Sequence, residues 1–453
     1  MIPAGYGEDQ PRLEDDRLPM ILLVLDGLGD RAIPELGGKT PSEAANTPNL
    51  DRLAAAGMNG WHIPFGWGRA PSSEWAHWAM FGYADEPFPG RAVLEALGSG
   101  VAVTDGEGVL YAALRTSRVA GDRLLVTGRA ERGPDDADAN ALLDELQGPL
   151  QNHGMALQSL GSRGQAILKI PGSGFASVTD SDPFFETFHY WLKPLAIDPG
   201  AARLTANLNA ALHAVRARLL ASPTNARRRT EGRPALDVLT TKWAGGRLPT
   251  PSFLSLHGIR GAAVTDATFY RGLAEYLGMP FVHLKPASDP GADVARRLDC
   301  ARQLIADGAR FVHVHTKATD EAGHTKNPFA KRDVLEAIDA GLAALPEMAQ
   351  SAVIAITGDH ATPSVNGVMH TGDPTPLVVI GPTVRADPVR QFGESFAAGG
   401  WLKTVAARDF MPLLASFANR PMFMGHRLTA RAGVVLPDEP VPMPLGEPHP
   451  PAS

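Results

Sequence analysis

Four short, predominantly apolar runs do most to limit how this 453-residue chain can fold. The first, Met20 to Leu25, reads MILLVL and stops at Asp26-Gly27; others lie at Phe311 to Val314, Val353 to Thr357 and Leu377 to Ile380. A strand that is apolar at every position has both faces covered, which is the habit of parallel sheets. Each run follows or precedes a helical stretch, so the expected class is α/β. One helix is punctuated at both ends: Asn46 to Gly57 offers a hydroxyl N-cap, Pro48 at the first helical position and Gly57 just past the last.

The length is too great for one compact core and favours two or three units. Between Val101 and Gly245 the pattern changes to glycine-rich turns, short alternating runs such as Ala166 to Ile170, and a helix near Arg203 to Leu220. This predicts an inserted α+β cap domain over 101–245, with the core built from 20–100 and 246–436. Residues 1–19 are acidic and proline-bearing and read as a loose tail, not a secretory signal. Residues 437–453 are too rich in proline for helix or central strand.

Composition narrows the function classes. At 44% hydrophobic and 20% charged residues, the chain is neither disordered in character nor membrane-spanning. A net charge of -7 with scattered arginines leaves no basic face for a nucleic-acid backbone. The single cysteine, Cys300, has no partner for an intramolecular disulfide; in the amphipathic stretch Val294 to Ile305 it reads as a buried structural thiol, compatible with a cytoplasmic location.

Chemistry gathers at the ends of the expected strands, the edge where open parallel sheets bind ligands. Asp26 follows the first run, although Asp-Gly after a strand is more often a plain turn. Asp320 and His324 follow the second and stand four residues apart, so one helical turn brings both to a single cation. Asp359 and His360 follow the third, and His370 comes ten residues later. Carboxylate with imidazole suits zinc or manganese better than calcium. Ser72 and Ser73 precede an aromatic-rich helical segment; a serine there is either an N-cap or a nucleophile whose oxygen a metal activates.

These residues resemble the archaeal-type branch of the cofactor-independent phosphoglycerate mutases, in the alkaline phosphatase superfamily. The resemblance runs through Asp26-Gly27-Leu28-Gly29-Asp30-Arg31, Gly38-Lys39-Thr40-Pro41-Ser42-Glu43-Ala44, Ala76-His77, Pro89-Gly90-Arg91, Lys317-Ala318-Thr319-Asp320-Glu321-Ala322-Gly323-His324, and Thr357-Gly358-Asp359-His360-Ala361-Thr362-Pro363. It implies an alkaline phosphatase-like, mostly parallel sheet flanked by helices. It also implies two divalent cations, Mn²⁺ or Zn²⁺ with Mg²⁺ as a further option. Alignment on Ala76-His77 assigns the phosphorylated serine to Ser73. The implied ligands are Asp26, Ser73, Asp359 and His360 for one ion, and Asp320, His324 and His370 for the other. Lys317 matches a family lysine near the phosphate, and His77 is a further candidate site residue or else a core group packed among Trp75, Trp78 and Phe81.

The implied reaction is two-metal phosphoryl transfer through a phosphoserine, by family default the interconversion of 3-phosphoglycerate and 2-phosphoglycerate. The partner is then a small phosphorylated metabolite, with no nucleic acid and no membrane. Three departures keep an alternative open. Ser72-Ser73-Glu74 stands for Gly-Ser-Asp, Ala112-Ala113-Leu114 for Arg-Cys-Asn, and Pro234-Ala235-Leu236 for Pro-Ala-Asn. Loss of polar groups from an acceptor pocket would favour a phosphatase, a phosphodiesterase or a mutase of a different phosphate ester. Arg115 and Arg129 are the candidates to replace the lost donors, with Arg118 and Arg132 nearby.

Overall fold

The structure, a computed structural model, describes residues 16–182, 188–423, 434–435 and 443–444. Most of the two expected tails lies outside the described residues. The chain divides into two compact units: one takes the chain up to Glu86, Pro251–Asp266 and the chain from Leu277, and the other takes Pro87–Thr250 and Ala267–Tyr276. The second unit therefore starts before the expected residue 101, because the helix Arg91–Gly98 packs on the helix Thr268–Tyr276. Backbone meets backbone there: a Cβ on Gly98 or Gly272 would sit 1.9 or 1.8 Å from a carbonyl oxygen of the other helix.

In the first unit, eight strands form one sheet: β1 (Met20–Leu25), β2 (Met58–Ile63), β9 (Gly261–Thr265), β10 (Phe281–His283), β11 (Phe311–Thr316), β12 (Val353–Thr357), β13 (Thr375–Ile380) and β14 (Lys403–Ala406), numbered along the whole chain. Their order is β10-β9-β11-β1-β12-β13-β2-β14. The three apolar strands β11, β1 and β12 lie side by side and parallel at the centre. Ile21, Leu23, Leu25, Val312, Val314, Ile354 and Ile356 share one buried cluster with Leu335 and Ile338 of the helix Pro328–Ala340.

Three local expectations are corrected. The run at Leu377 to Ile380 is a buried strand, but it is antiparallel to β12 and β2. Burial of both faces says nothing of direction. The chain from Gly358 to Pro374 contains no crossover helix, so it can only return the strand reversed. The helix Pro48–Ala56 begins with Pro48 as expected, yet Thr47 makes no capping bond. Its free amides are met from far along the chain: Asn49 N and Leu50 N donate to the Asp339 carboxylate at 3.1 and 2.7 Å. Cys300 is only partly buried, on the helix Pro290–Ala306.

The second unit is an antiparallel sheet with helices. Its strands are β3 (Gly108–Ala120), β4 (Arg123–Arg129), β5 (Ala156–Ser159), β6 (Gln165–Ile170), β7 (His189–Tyr190) and β8 (Leu236–Gly246), and β3 pairs with β4, β6 and β8. Alternation along β3 sends Leu110, Ala112 and Leu114 into a core with Leu236 and with Leu208, Leu212 and Val215 of the helix Ala202–Leu220. Ala113 packs on the other face with Val109 and Tyr111. Ala112, Leu114 and Leu236 are thus interior packing residues, so the expected loss of acceptor contacts finds no support in them.

A buried ion network closes this unit. Arg228, almost fully buried, donates to Asp135 at 2.7 Å and to Asp138 at 3.1 Å, and Arg233 reaches the same two carboxylates at 2.8 Å each. Burial opposes ionisation of Asp135, but the Arg228 bond and its neighbours outweigh it and bring the carboxyl down to about 2.

Two outcomes follow for stability. Asp339→Ala uncaps Pro48–Ala56 and is expected to cost about 2 kcal/mol, read as a lower urea midpoint. For Asp135, the folded pKa lies below the unfolded value of about 3.9. Its contribution is therefore complete above about pH 4 and is lost as pH falls through about 2. In Arg228→Met the urea midpoint should change less between pH 5 and 2 than in the wild type.

Candidate active site

Every strand that delivers a candidate side chain does so at its carboxyl end. Asp26 directly follows β1, Lys317 follows β11 and opens the helix Ala318–His324, and Asp359 and His360 follow β12 after one glycine. β2 runs parallel to β14 and antiparallel to β13, so the chain leaving Ile63 toward Ser73 exits from this same edge. The turn after β1 needs its glycine. Gly27 has φ +64, its amide donates to Asp359 Oδ1 at 3.0 Å, and a Cβ would fall 2.5 Å from Thr362 Oγ1.

Around His360 Nε2 stand Ser73 Oγ at 3.0 Å, Asp26 Oδ1 at 3.2 Å and Asp359 Oδ2 at 3.4 Å. A second group adjoins it. His324 Nε2 is 3.2 Å and His370 Nε2 3.6 Å from Asp320 Oδ1, and the two imidazole nitrogens are 3.4 Å apart. The His370 and His360 rings stack at 3.8 Å. Since the Pro71 carbonyl only accepts, the His370 Nδ1 at 3.2 Å from it carries a proton, which turns Nε2 toward the cluster.

These spacings fit divalent ions. A tetrahedral ion with bonds of about 2.0–2.1 Å sets neighbouring ligand atoms about 3.3 Å apart. Two sets of side chains could each hold an ion by mutual proximity: Asp320, His324 and His370, and Asp26, Asp320 and His360. The second set draws in Asp320, which sequence reasoning kept with His324 and His370 alone, while Asp359 and Ser73 reach the same His360 nitrogen.

Electrostatics agree with that fit. Asp26 and Asp359 are fully buried and Asp320 nearly so. Burial works against ionising Asp26, but the Lys317 charge and the bonds from His315 and His360 hold it well below the usual carboxylate range. Asp359 moves the other way, raised by burial and by the charge of Asp26. Asp320 stays low despite burial and Asp26, through His324, His370 and Lys317. Lys317 bridges Asp26 at 3.3 Å and Asp320 at 3.2 Å; burial disfavours its charge, but the surrounding carboxylates raise its pKa. His360, also buried, is lifted to about 9 by Asp359 and Asp26.

Ser73 and Ser72 resolve differently. Ser72 occupies the N-cap position with φ -80 and donates its hydroxyl to Glu74 at 2.8 Å; that φ is open to any residue, so the lost glycine strains nothing. Ser73 begins the helix Ser73–Trp78 with its oxygen on the cluster.

His77 is fully buried beside the cluster: its Nδ1 donates to the Ser73 carbonyl at 2.8 Å and lies 3.6 Å from Asp359 Oδ2, and its ring packs on Phe81, His313 and His315. Burial depresses its pKa to about 3. Arg115 and Arg129 lie in the other unit, paired across β3 and β4. Arg115 is buried, with Nη2 and Nε donating to Asp182 at 2.7 and 3.1 Å, and Arg129 is exposed.

Three residues escaped sequence reasoning. His315 Nε2 bonds Asp26 Oδ2 at 3.0 Å, Thr319 donates its hydroxyl to the Asp26 carbonyl, and the Thr362 hydroxyl bonds Asp320 at 2.8 Å. A signal existed for the first, because Phe-Val-His-Val-His-Thr alternates imidazole with valine along β11. A cavity of about 380 Å³ near Asp266, Arg297 and Glu321 touches Lys317 but none of the metal-ligand candidates, so it is not the centre of this chemistry.

If the donor sets hold ions as their spacing suggests, His324→Ala should leave one ion per chain. Asp320→Ala should weaken both. Metal analysis after equilibrium dialysis against Mn²⁺ reads this directly.

Residues 18–416 match the family described as the Metalloenzyme superfamily. A 2,3-bisphosphoglycerate-independent phosphoglycerate mutase of Methanocaldococcus jannaschii is 34% identical over 432 residues, covering 92% of this chain and 97% of its own. The solved structure of a Pyrococcus horikoshii protein superposes with a TM-score of 0.73 at 29% identity, over 90% of this chain and 100% of the other. A cofactor-independent phosphoglycerate mutase of Thermoplasma acidophilum gives 0.61 at 29% identity, over 88% and 100%.

Proposed function

The chain belongs to the Metalloenzyme superfamily and, within it, to the 2,3-bisphosphoglycerate-independent phosphoglycerate mutases, and from that membership we propose that it interconverts 3-phosphoglycerate and 2-phosphoglycerate through a phosphate carried on Ser73. The observation that supports this most is the Ser73 oxygen 3.0 Å from His360 Nε2, inside a ring of buried carboxylates and imidazoles.

In the proposed reaction, Ser73 Oγ gives up its proton and bonds phosphorus as the P–O bond to the substrate's C3 oxygen breaks, and that oxygen takes up one proton. The glycerate then offers its C2 hydroxyl oxygen, which loses its proton and bonds phosphorus while the Ser73 P–O bond breaks and Ser73 Oγ takes up one proton. Two divalent ions, Mn²⁺ or Zn²⁺ by the donor chemistry, would lower the pKa of the serine hydroxyl and offset phosphoryl charge. Asp26, Asp359 and His360 hold the serine side of the centre; Asp320, His324 and His370 hold the other. Lys317 adds a fixed positive charge toward the transferring group, while His77 buttresses the helix that carries Ser73. A cytoplasmic location suits a glycolytic substrate and a lone cysteine; no helix among the described residues is long and apolar enough to cross a membrane.

The test is direct. Protein with Mn²⁺ and 3-phosphoglycerate should yield 2-phosphoglycerate without free phosphate, and Ser73→Ala should lower the rate by at least about 10³-fold and abolish acid-stable phosphoserine. Free phosphate without isomer would mean a hydrolase instead.

A further inference from the structure

One buried hydroxyl touches both donor clusters. Thr362 is fully buried, and its Oγ1 lies 2.8 Å from Asp320 Oδ1 and 3.0 Å from His360 Nδ1. A hydroxyl has a single proton to give, and an ionised carboxylate can only accept. The Thr362 proton therefore goes to Asp320, and its lone pair must accept from His360 Nδ1–H. This assignment is the same whether the imidazole is neutral or protonated. It leaves Nε2 as the atom turned toward Ser73, Asp26 and Asp359.

The threonine is itself fixed. Its amide donates to the Gly29 carbonyl at 3.0 Å, and its carbonyl accepts from Lys331 Nζ at 2.9 Å. The Lys331 ammonium, fully buried on the helix Pro328–Ala340, also holds the Gly29 carbonyl at 2.9 Å and Asp30 Oδ2 at 3.1 Å. Asp30 in turn accepts from Ser364 N and Oγ. The turn after β1 and the turn after β12 are thereby tied to one cation, with Thr362 between the two clusters.

Resting on the two-ion reading above, we infer that Thr362 is a positioning residue that fixes the His360 tautomer and the Asp320 carboxylate together, so that each cluster depends on the other. Outer partners of this kind typically govern metal affinity by about 10–100-fold. Valine matches threonine in shape but lacks the hydroxyl; serine keeps the hydroxyl.

The experiment is equilibrium dialysis of metal-free wild type, Thr362→Val and Thr362→Ser against graded Mn²⁺, with metal analysis and with thermal unfolding of each metal-free protein. Thr362→Val should bind both ions at least about 10-fold more weakly while unfolding near the wild-type temperature, and Thr362→Ser should restore most of the affinity. In a His324→Ala background, Thr362→Val should still weaken the remaining ion. Thr362→Ala serves if the valine variant does not fold. Wild-type affinity in the valine variant, a serine variant as weak as valine, or an effect on one ion alone each overturns the inference and leaves the two-ion reading standing. Failure of the wild type to bind two ions would instead remove that reading.

Discussion

Three carboxylates, Asp26, Asp320 and Asp359, lie buried beside one another, and the rest of the first unit is arranged around the problem they create. Like charges out of water repel strongly and lose their hydration, so such a group persists only with positive or hydrogen-donating partners on every side. Lys317 and His360 supply part of this, and backbone amides and threonine hydroxyls supply more. The opposed displacements of Asp26 and Asp359 reflect the same crowding: one keeps its charge at the expense of the other. Divalent cations are the natural completion of such a set, and they are what the family membership brings with it.

Assembly of that set follows from sheet geometry. Parallel strands aligned side by side present all their carboxyl ends along one edge. Asp26, the Lys317–His324 segment and the Asp359-His360 pair therefore converge, although Asp26 stands 291 residues before Lys317 in sequence. The reversed strand β13 contributes as well, because a connection that returns without a helix passes back across the same edge and brings His370 to face His324. Turns this crowded tolerate few changes. The left-handed Gly27 and the buried Lys331 let two of them pack with no side chain or unpaired carbonyl between.

Departures from the family motifs carry different weights once packing is considered. Serine in place of glycine before Ser73 costs nothing, since the backbone there is ordinary extended chain. The apolar residues at 112, 114 and 236 belong to the interior of the second unit, which removes the reason to assign the chain to a different reaction on their account. Arg115 is committed to Asp182 as part of that unit's own ion network.

What the sequence determined alone was the α/β class, the central strands almost to the residue, and the identity of the metal-ligand candidates. Apolar runs and carboxylate-imidazole motifs are local, so they survive without knowledge of neighbours. Tertiary structure decided whatever depends on contacts between distant segments. The direction of β13, the capping of Pro48–Ala56 by Asp339, the burial of His77 beside Asp359 and the bridging hydroxyl of Thr362 are all of that kind. Each is set by which groups satisfy a buried amide, ring or carboxylate, and that partner is chosen in space rather than along the chain.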